Sequence, residues 1–125
     1  MGMDKKKILL VEDDDNLREL YSELLTQENY DVTTAEDGTK GLMKVQQGNW
    51  DLVLMDLILP EMNGFDIVRK AKENPQVVYF KKIIFLTNLY TDDQLKEATE
   101  LGGGYLIKGN ITPDQLLTEV KKNLS

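Results

Sequence analysis

The sequence predicts an α/β protein in which a parallel five-stranded sheet carries helices on both faces. Short apolar runs alternate with segments of helix length along all 125 residues, and this alternation is typical of successive βαβ units with right-handed crossovers. The runs that we expect to form strands cover residues 8–11, 31–34, 52–55, 83–86 and 105–107. No linker interrupts the pattern, so we expect one domain over residues 1–125, with residues 1–6 as a short N-terminal tail.

Apolar spacing and capping residues predict the helices between these strands. The predicted helices cover residues 14–28, 38–47 and 64–73, and two more begin at the capping boxes Thr91-Asp92-Asp93-Gln94 and Thr112-Pro113-Asp114-Gln115. Either Asp14 or Asp15 is placed to cap the first helix. Gly48 is expected to end the second helix. The third helix should end at Asn74-Pro75, because the residue before a proline disfavours the helical region.

Composition removes several classes of function. With no cysteine and no histidine, the chain has neither a thiolate zinc site nor an imidazole base. A net charge of −7 argues against direct nucleic acid binding by this chain. No apolar run approaches the ~18 residues that a membrane span needs, and Met1 to Lys7 lacks the apolar core of a signal peptide. We therefore expect a cytoplasmic protein without a membrane span.

Polar residues follow four of the five predicted strands. Glu12-Asp13 follow the first strand, Asp56 the third, Thr87-Asn88 the fourth and Lys108 the fifth. The carboxyl ends of parallel strands meet at one edge of the sheet, where open α/β folds bind their ligands. Taken singly, each residue could be an ordinary cap or turn residue. Their joint pattern favours one functional cluster centred on Asp56.

Three carboxylates in one cluster indicate a bound cation. Close carboxylates repel one another, and without compensation at least one would take up a proton. Ligation by oxygen alone favours a hard ion such as Mg²⁺, which also binds phosphate oxygens. With Glu12 and Asp13 holding the metal, Asp56 could act as a nucleophile and form an aspartyl phosphate. Thr87 and Lys108 would then contact the transferred phosphoryl oxygens.

The chain resembles the receiver domain of two-component response regulators over nearly its whole length. The residues that carry the resemblance are Leu10-Val11-Glu12-Asp13-Asp14, Met55-Asp56-Leu57-Ile58-Leu59-Pro60 with Met62 and Gly64, Leu86-Thr87, and Tyr105-Leu106-Ile107-Lys108. The resemblance implies the flavodoxin-like fold of chemotaxis regulators, a (βα)5 three-layer sandwich with strand order 2-1-3-4-5.

The resemblance also implies a role for each site residue. Asp56 is expected to be phosphorylated by a sensor histidine kinase or a phosphotransfer protein in a Mg²⁺-dependent reaction. Asp13 would bind Mg²⁺ directly, Glu12 through water, and the Ile58 backbone carbonyl would complete the protein ligands. Such a chain is a regulator rather than an enzyme, since it catalyses only its own phosphorylation and slow dephosphorylation.

A switch between two surface states follows from the same resemblance. Thr87 is expected to move toward the phosphoryl group while Tyr105 turns inward, which remodels the surface of the fourth helix, fifth strand and fifth helix. This is a two-state equilibrium biased by new charge at one edge. The output would reach a downstream target protein or an output domain outside these residues, and the chain is expected to be a monomer or a weak phosphorylation-dependent dimer.

The sequence departs from the family pattern beside the expected site. Gly109-Asn110 follow the lysine where the family usually has proline, and Asn88 replaces a small residue after the threonine. Ile58 and Leu89 each lie two residues beyond a site residue and cannot orient an attacking water. We therefore hypothesise a long-lived aspartyl phosphate, unless both side chains simply pack against neighbours.

Two other functions compete with the switch. A phosphohydrolase with a nucleophilic aspartate needs a second carboxylate two residues on, and that position is Ile58. A receiver-like interaction module that acts without phosphorylation is the alternative that Asn88 and Gly109 favour. The full set of acids, threonine and lysine favours the phosphoacceptor instead.

Overall fold

Strands and helices alternate throughout the computed structural model, which describes residues 5–88 and 91–124. The strands are β1 Lys7–Val11, β2 Asp31–Ala35, β3 Trp50–Asp56, β4 Phe80–Thr87 and β5 Gly104–Ile107. The helices are α1 Asp15–Gln27, α2 Gly38–Gln47, α3 Gly64–Ala71, α4 Asp92–Glu100 and α5 Pro113–Leu124. Within these described residues, no helix has the length and apolar character to cross a membrane. Most of the predicted tail lies outside the described residues, so the tail stays a prediction.

The five strands form one sheet in the order β2-β1-β3-β4-β5, and every neighbouring pair is parallel. The predicted fold class and strand order are therefore confirmed. The order reverses between β1 and β3, where Val11 lies opposite Met55. Because Glu12 follows Val11 and Asp56 follows Met55, the two acids lie side by side at this reversal point, which is where open α/β sheets bind ligands.

Alternation along the strands divides the core into two layers. Leu9 and Val53 face the layer covered by α2, α3 and α4, whereas Leu10 and Leu54 face the layer covered by α1 and α5. Phe65 of α3 meets Phe85 of β4 edge to face, with ring centroids 4.9 Å apart. Each central strand is thus buried on both faces, as the continuous apolar runs predicted.

The helix ends follow the capping chemistry that the sequence predicts, with one difference. Asp14, rather than Asp15, caps α1, since its side chain accepts from the Leu17 amide, and both predicted capping boxes form. The third helix ends at Ala71 and not at residue 73. Pro75 therefore limits how far the third helix could extend, but it does not determine the residue at which the helix ends. Lys72 directly follows α3, and its ammonium donates to the carbonyl of Leu101, directly after α4, at 2.8 Å.

Gly64 should be a sensitive position because α3 begins directly against the carboxyl end of β3. A Cβ atom there would lie 2.6 Å from the Asp56 carbonyl oxygen and 2.9 Å from Met55 Cγ. We expect Gly64→Ala to lower the free energy of unfolding by about 2 kcal/mol. Gly109→Ala is the matched control, since nothing lies within 4 Å of its added Cβ. Urea unfolding followed by the fluorescence of Trp50, the single tryptophan, measures both; equal midpoints would contradict the packing described here.

Candidate phosphoacceptor and metal site

The structure brings the three predicted acids together at the reversal point of the sheet. Glu12, Asp13 and Asp56 each offer a carboxylate oxygen, and these oxygens lie within 4.8 Å of one another. Glu12 is 0% exposed and Asp56 is 2% exposed, whereas Asp13 lies on the surface. The cluster therefore has two buried carboxylates and a third at its mouth, where a ligand can enter from solvent.

Lys108 follows the edge strand β5 and reaches the cluster from two strands away from β3. Its ammonium lies 2.9 Å from Glu12 Oε1 and 3.1 Å from Asp56 Oδ2. The lysine begins a single 3₁₀ turn, Lys108–Asn110, that follows β5, so the glycine and asparagine that replace the usual proline still present it to the acids. One cation thus bridges two buried anions.

Backbone amides supply the remaining donors to the buried carboxylates. The Asp14 amide donates to Glu12 Oε2 at 3.1 Å, and the Ile58 amide donates to Asp56 Oδ1 at 3.3 Å. Every buried side-chain nitrogen and oxygen in the described part of the chain has a partner. The cluster is therefore satisfied in hydrogen bonds, and what it lacks is positive charge.

The shortage of positive charge shows in the protonation of Asp56. Burial, with a further contribution from Glu12, raises the pKa of Asp56 to about 8, although Lys108 opposes the shift. Burial alone would lower the pKa of Lys108, but its pairing with Glu12 and Asp56 raises it. Near neutral pH the lysine is charged and Asp56 tends to hold a proton. A second cation would release that proton.

The donor set fits a hard divalent ion. Carboxylate oxygens in a half-open cluster, with neither histidine nor cysteine in the sequence, suit Mg²⁺, which keeps several waters and uses one or two carboxylates. Ile58 lies at the rim, with its side chain 69% exposed. The alternative that Ile58 packs against neighbours is therefore wrong, while the metal role of its carbonyl stays a prediction.

The remaining predicted residues lie around the cluster at different depths. Thr87 is buried at the end of β4, one residue beyond the Leu86 that pairs with Asp56, so its hydroxyl belongs to the same sheet edge. Asn88 follows on the surface, and Leu89 lies outside the described residues. Tyr105 is 43% exposed on the edge strand β5, which leaves it accessible to a partner.

One contact of the site was not predicted from the sequence. Arg18 of α1 donates from Nη1 to the Glu12 carbonyl at 2.9 Å and to the Asp13 carbonyl at 3.4 Å. A signal was present, since side chains in the first turn of a helix point back toward its N-terminus. An arginine five residues after Asp13 could therefore have been expected to reach the acidic loop.

Curated relatives match about half of this chain. The response regulator ArlR of Staphylococcus saprophyticus is 46% identical over 68 residues, which are 54% of this chain and 31% of that protein. The uncharacterized transcriptional regulatory protein YcbL of Bacillus subtilis is 39% identical over 69 residues, 55% of this chain and 30% of that protein. The chain thus spans less than a third of either relative.

Solved structures match almost the whole chain. The chemotaxis protein CheY4 of Vibrio cholerae superposes with a TM-score of 0.85 at 31% identity, covering 97% of this chain and 100% of that one. The receiver domain of DrrB in its BeF3-activated form gives a TM-score of 0.79 at 32% identity, covering 96% and 97%. The family model for the response regulator receiver domain matches residues 8–121. Fold, site geometry and this match agree, and the chain belongs to the response regulator receiver domain family.

Proposed function

We propose that this chain is a phosphoacceptor switch that takes a phosphoryl group on Asp56 from a sensor histidine kinase or a phosphotransfer protein. The observation that carries the proposal is the buried Lys108 ammonium within 3.1 Å of Asp56 Oδ2 and 2.9 Å of Glu12 Oε1. A lysine that contacts a nucleophilic carboxylate is placed to stabilise the negative charge of the transferred phosphoryl group. The predicted cytoplasmic location of this exchange stays a prediction.

The transfer would use the groups at this edge of the sheet together with a phosphorylated imidazole of the donor. A carboxylate oxygen of Asp56 bonds to phosphorus, the bond from phosphorus to the donor's imidazole nitrogen breaks, and its electron pair stays on that nitrogen. The Lys108 ammonium would contact the phosphoryl oxygens, and the Thr87 hydroxyl would donate a hydrogen bond to them. Mg²⁺, held by the carboxylates of Glu12, Asp13 and Asp56 and by the Ile58 carbonyl, would neutralise the Asp56 anion and the phosphoryl charge. The chain acts on itself alone, so it is a regulator rather than a classical enzyme.

The signal would leave through the surface of α4, β5 and α5. Movement of Thr87 toward the phosphoryl group would let Tyr105 turn inward, and the half-exposed position of Tyr105 leaves room for this change. A groove of about 480 Å³ beside it, lined in part by Tyr105, Ile107, Ile111, Gln115 and Thr118, would change shape with the tyrosine. A downstream target or an output domain would bind there. The chain itself would be a monomer or a weak phosphorylation-dependent dimer.

Phosphorylation should be specific for Asp56. Incubation with acetyl phosphate and Mg²⁺ is expected to add one phosphoryl group, detected by intact mass, and Asp56→Asn should abolish the adduct. Lys108→Ala should slow its formation roughly 100-fold, because a preorganised cation is lost. Asp51→Asn, at the opposite end of β3, is the matched control and should react like the wild type. A chain that stays unmodified would support the alternative of an interaction module without phosphorylation.

Stability without metal should depend on pH through Asp56. Its pKa of about 8 lies above the unfolded value of 3.8, so the folded state binds the extra proton and loses stability as pH rises from about 4 to about 8. In EDTA, Asp56→Asn should therefore raise the free energy of unfolding by roughly 1–3 kcal/mol at about pH 9. The gain should shrink toward about pH 4. Denaturant melts across pH measure this; a variant less stable than the wild type at high pH would refute the charge conflict.

The aspartyl phosphate should be long-lived because an apolar side chain flanks it. Ile58 is 69% exposed beside Asp56 and cannot hydrogen-bond an attacking water, whereas an asparagine could. Ile58→Asn should therefore shorten the phosphoryl lifetime roughly tenfold, as timed by loss of label from purified phosphoprotein. Val78→Asn replaces another exposed aliphatic residue, 76% exposed and outside the site, and should leave the lifetime unchanged. Equal phosphoryl lifetimes for Ile58→Asn and the wild type would contradict the hypothesis that Ile58 prolongs the lifetime.

A further inference from the structure

Arg18 connects three segments around the acidic loop that follows β1. Its Nη1 donates to the carbonyls of Glu12 and Asp13 at 2.9 and 3.4 Å. Its Nη2 donates to Asp15 Oδ1 at 2.6 Å and lies 4.0 Å from Glu36 Oε2, beyond β2. The guanidinium is mostly buried by these contacts. It is therefore tied to the backbone of two predicted metal ligands without touching their carboxylates.

Holding these two carbonyls orients the backbone from which the acids project. A peptide unit is planar, so fixing the carbonyls of Glu12 and Asp13 fixes two consecutive peptide planes of the loop. The two carboxylates and that of Asp56 crowd within 4.8 Å, and their mutual repulsion acts to spread the loop. The planar fork of an arginine can resist that spreading through two acceptors at once, which a lysine cannot.

We propose that Arg18 is a positioning residue for the cation site, since it holds the loop of Glu12 and Asp13 in the conformation that binds the metal. This inference rests on the proposed function, because it requires those two acids to bind Mg²⁺. Arg18 would act on the affinity for Mg²⁺, and through it on phosphorylation, without contacting the metal or the phosphoryl group.

The charge of Arg18 acts in the opposite direction from its geometry. A guanidinium near the site repels Mg²⁺, so its removal would tighten binding if charge dominated. The negative groups of Asp15 and Glu36 already face this guanidinium, and they offset its field at the cluster. Loss of loop order should therefore outweigh loss of repulsion, and removal of the side chain should weaken Mg²⁺ binding. The two effects predict opposite signs, which makes the proposal testable.

The test is the Mg²⁺ dissociation constant of Arg18 variants, measured by ¹⁵N amide shifts during titration of the otherwise unmodified chain. Arg18→Met should weaken binding about tenfold, as loss of groups that orient metal ligands does. Arg18→Lys keeps the charge but not the fork, and should also bind more weakly than the wild type. Arg69→Met is the matched control, because Arg69 is the other arginine of the chain and also pairs with an aspartate three residues before it.

Unchanged or tighter Mg²⁺ binding by Arg18→Met would overturn the proposal, as would wild-type affinity in Arg18→Lys. Thermal melts in EDTA distinguish the positioning role from a merely stabilising role. If Arg18 only stabilises the fold, its variants would have a lower melting temperature but an unchanged Mg²⁺ dissociation constant. If Arg18→Met does not fold, Arg18→Lys decides. Asp13→Asn tests the premise separately: if it binds Mg²⁺ as tightly as the wild type, the proposed metal site fails and this inference fails with it.

Discussion

One buried lysine shared by two buried carboxylates is the interaction on which the rest of this site depends. Glu12 and Asp56 are withdrawn from water, and each buried charge of this kind costs several kcal/mol before it is compensated. The single ammonium of Lys108 balances only one of the two negative charges, and burial together with the neighbouring Glu12 raises the pKa of Asp56 to about 8. Under the proposed function, Asp56 would become a reactive carboxylate once a further cation binds and releases its proton. In that proposal, the unbalanced negative charge would couple cation binding to phosphorylation.

The fold makes the arrangement possible because it joins distant parts of the chain. Lys108 is 96 residues from Glu12 and 52 from Asp56 in the sequence, and only the parallel sheet brings their strand ends to one edge. Two hydrophobic layers hold the central strands on both faces, so the polar groups at the strand ends rest on a rigid base. Arg18 and the helix-capping residues hydrogen-bond to the loops that follow the strands. The 3₁₀ turn after β5 places Lys108 beside the two acids.

The sequence predicts those parts of the fold that depend on local rules, namely the period of apolar residues and the capping of helix ends. The central strands and the N-terminal caps at Asp14 and Thr91 follow from such rules, whereas the strand ends do not. Residues 50–51 look like loop residues, yet β3 begins at Trp50, because the Trp50 amide donates to the Tyr79 carbonyl and its indole to the Lys44 carbonyl. Similarly, two exposed lysines obscure the start of β4, where Lys81 pairs with Asp51 across the strands.

The candidate site was predicted where residues end strands and missed where a side chain crosses between elements. The positions of Glu12, Asp13, Asp56 and Lys108 follow from parallel topology, because strand ends share an edge. The contact of Arg18 with the acidic loop depends on a side-chain conformation and a loop path, which composition and spacing do not specify. The exposure of Ile58 likewise depends on how the chain turns after Asp56, so only the structure removes the packing alternative for Ile58.

We propose above that Asp56 carries the phosphoryl group in a cluster completed by a divalent cation. Beryllium fluoride, a stable mimic of an aspartyl phosphate, tests it most directly when added with Mg²⁺ to ¹⁵N-labelled protein. We expect new amide resonances for Asp56, Thr87 and Lys108 that require Mg²⁺ and that do not form in Asp56→Asn. An unchanged spectrum, or the same changes in Asp56→Asn, would contradict it.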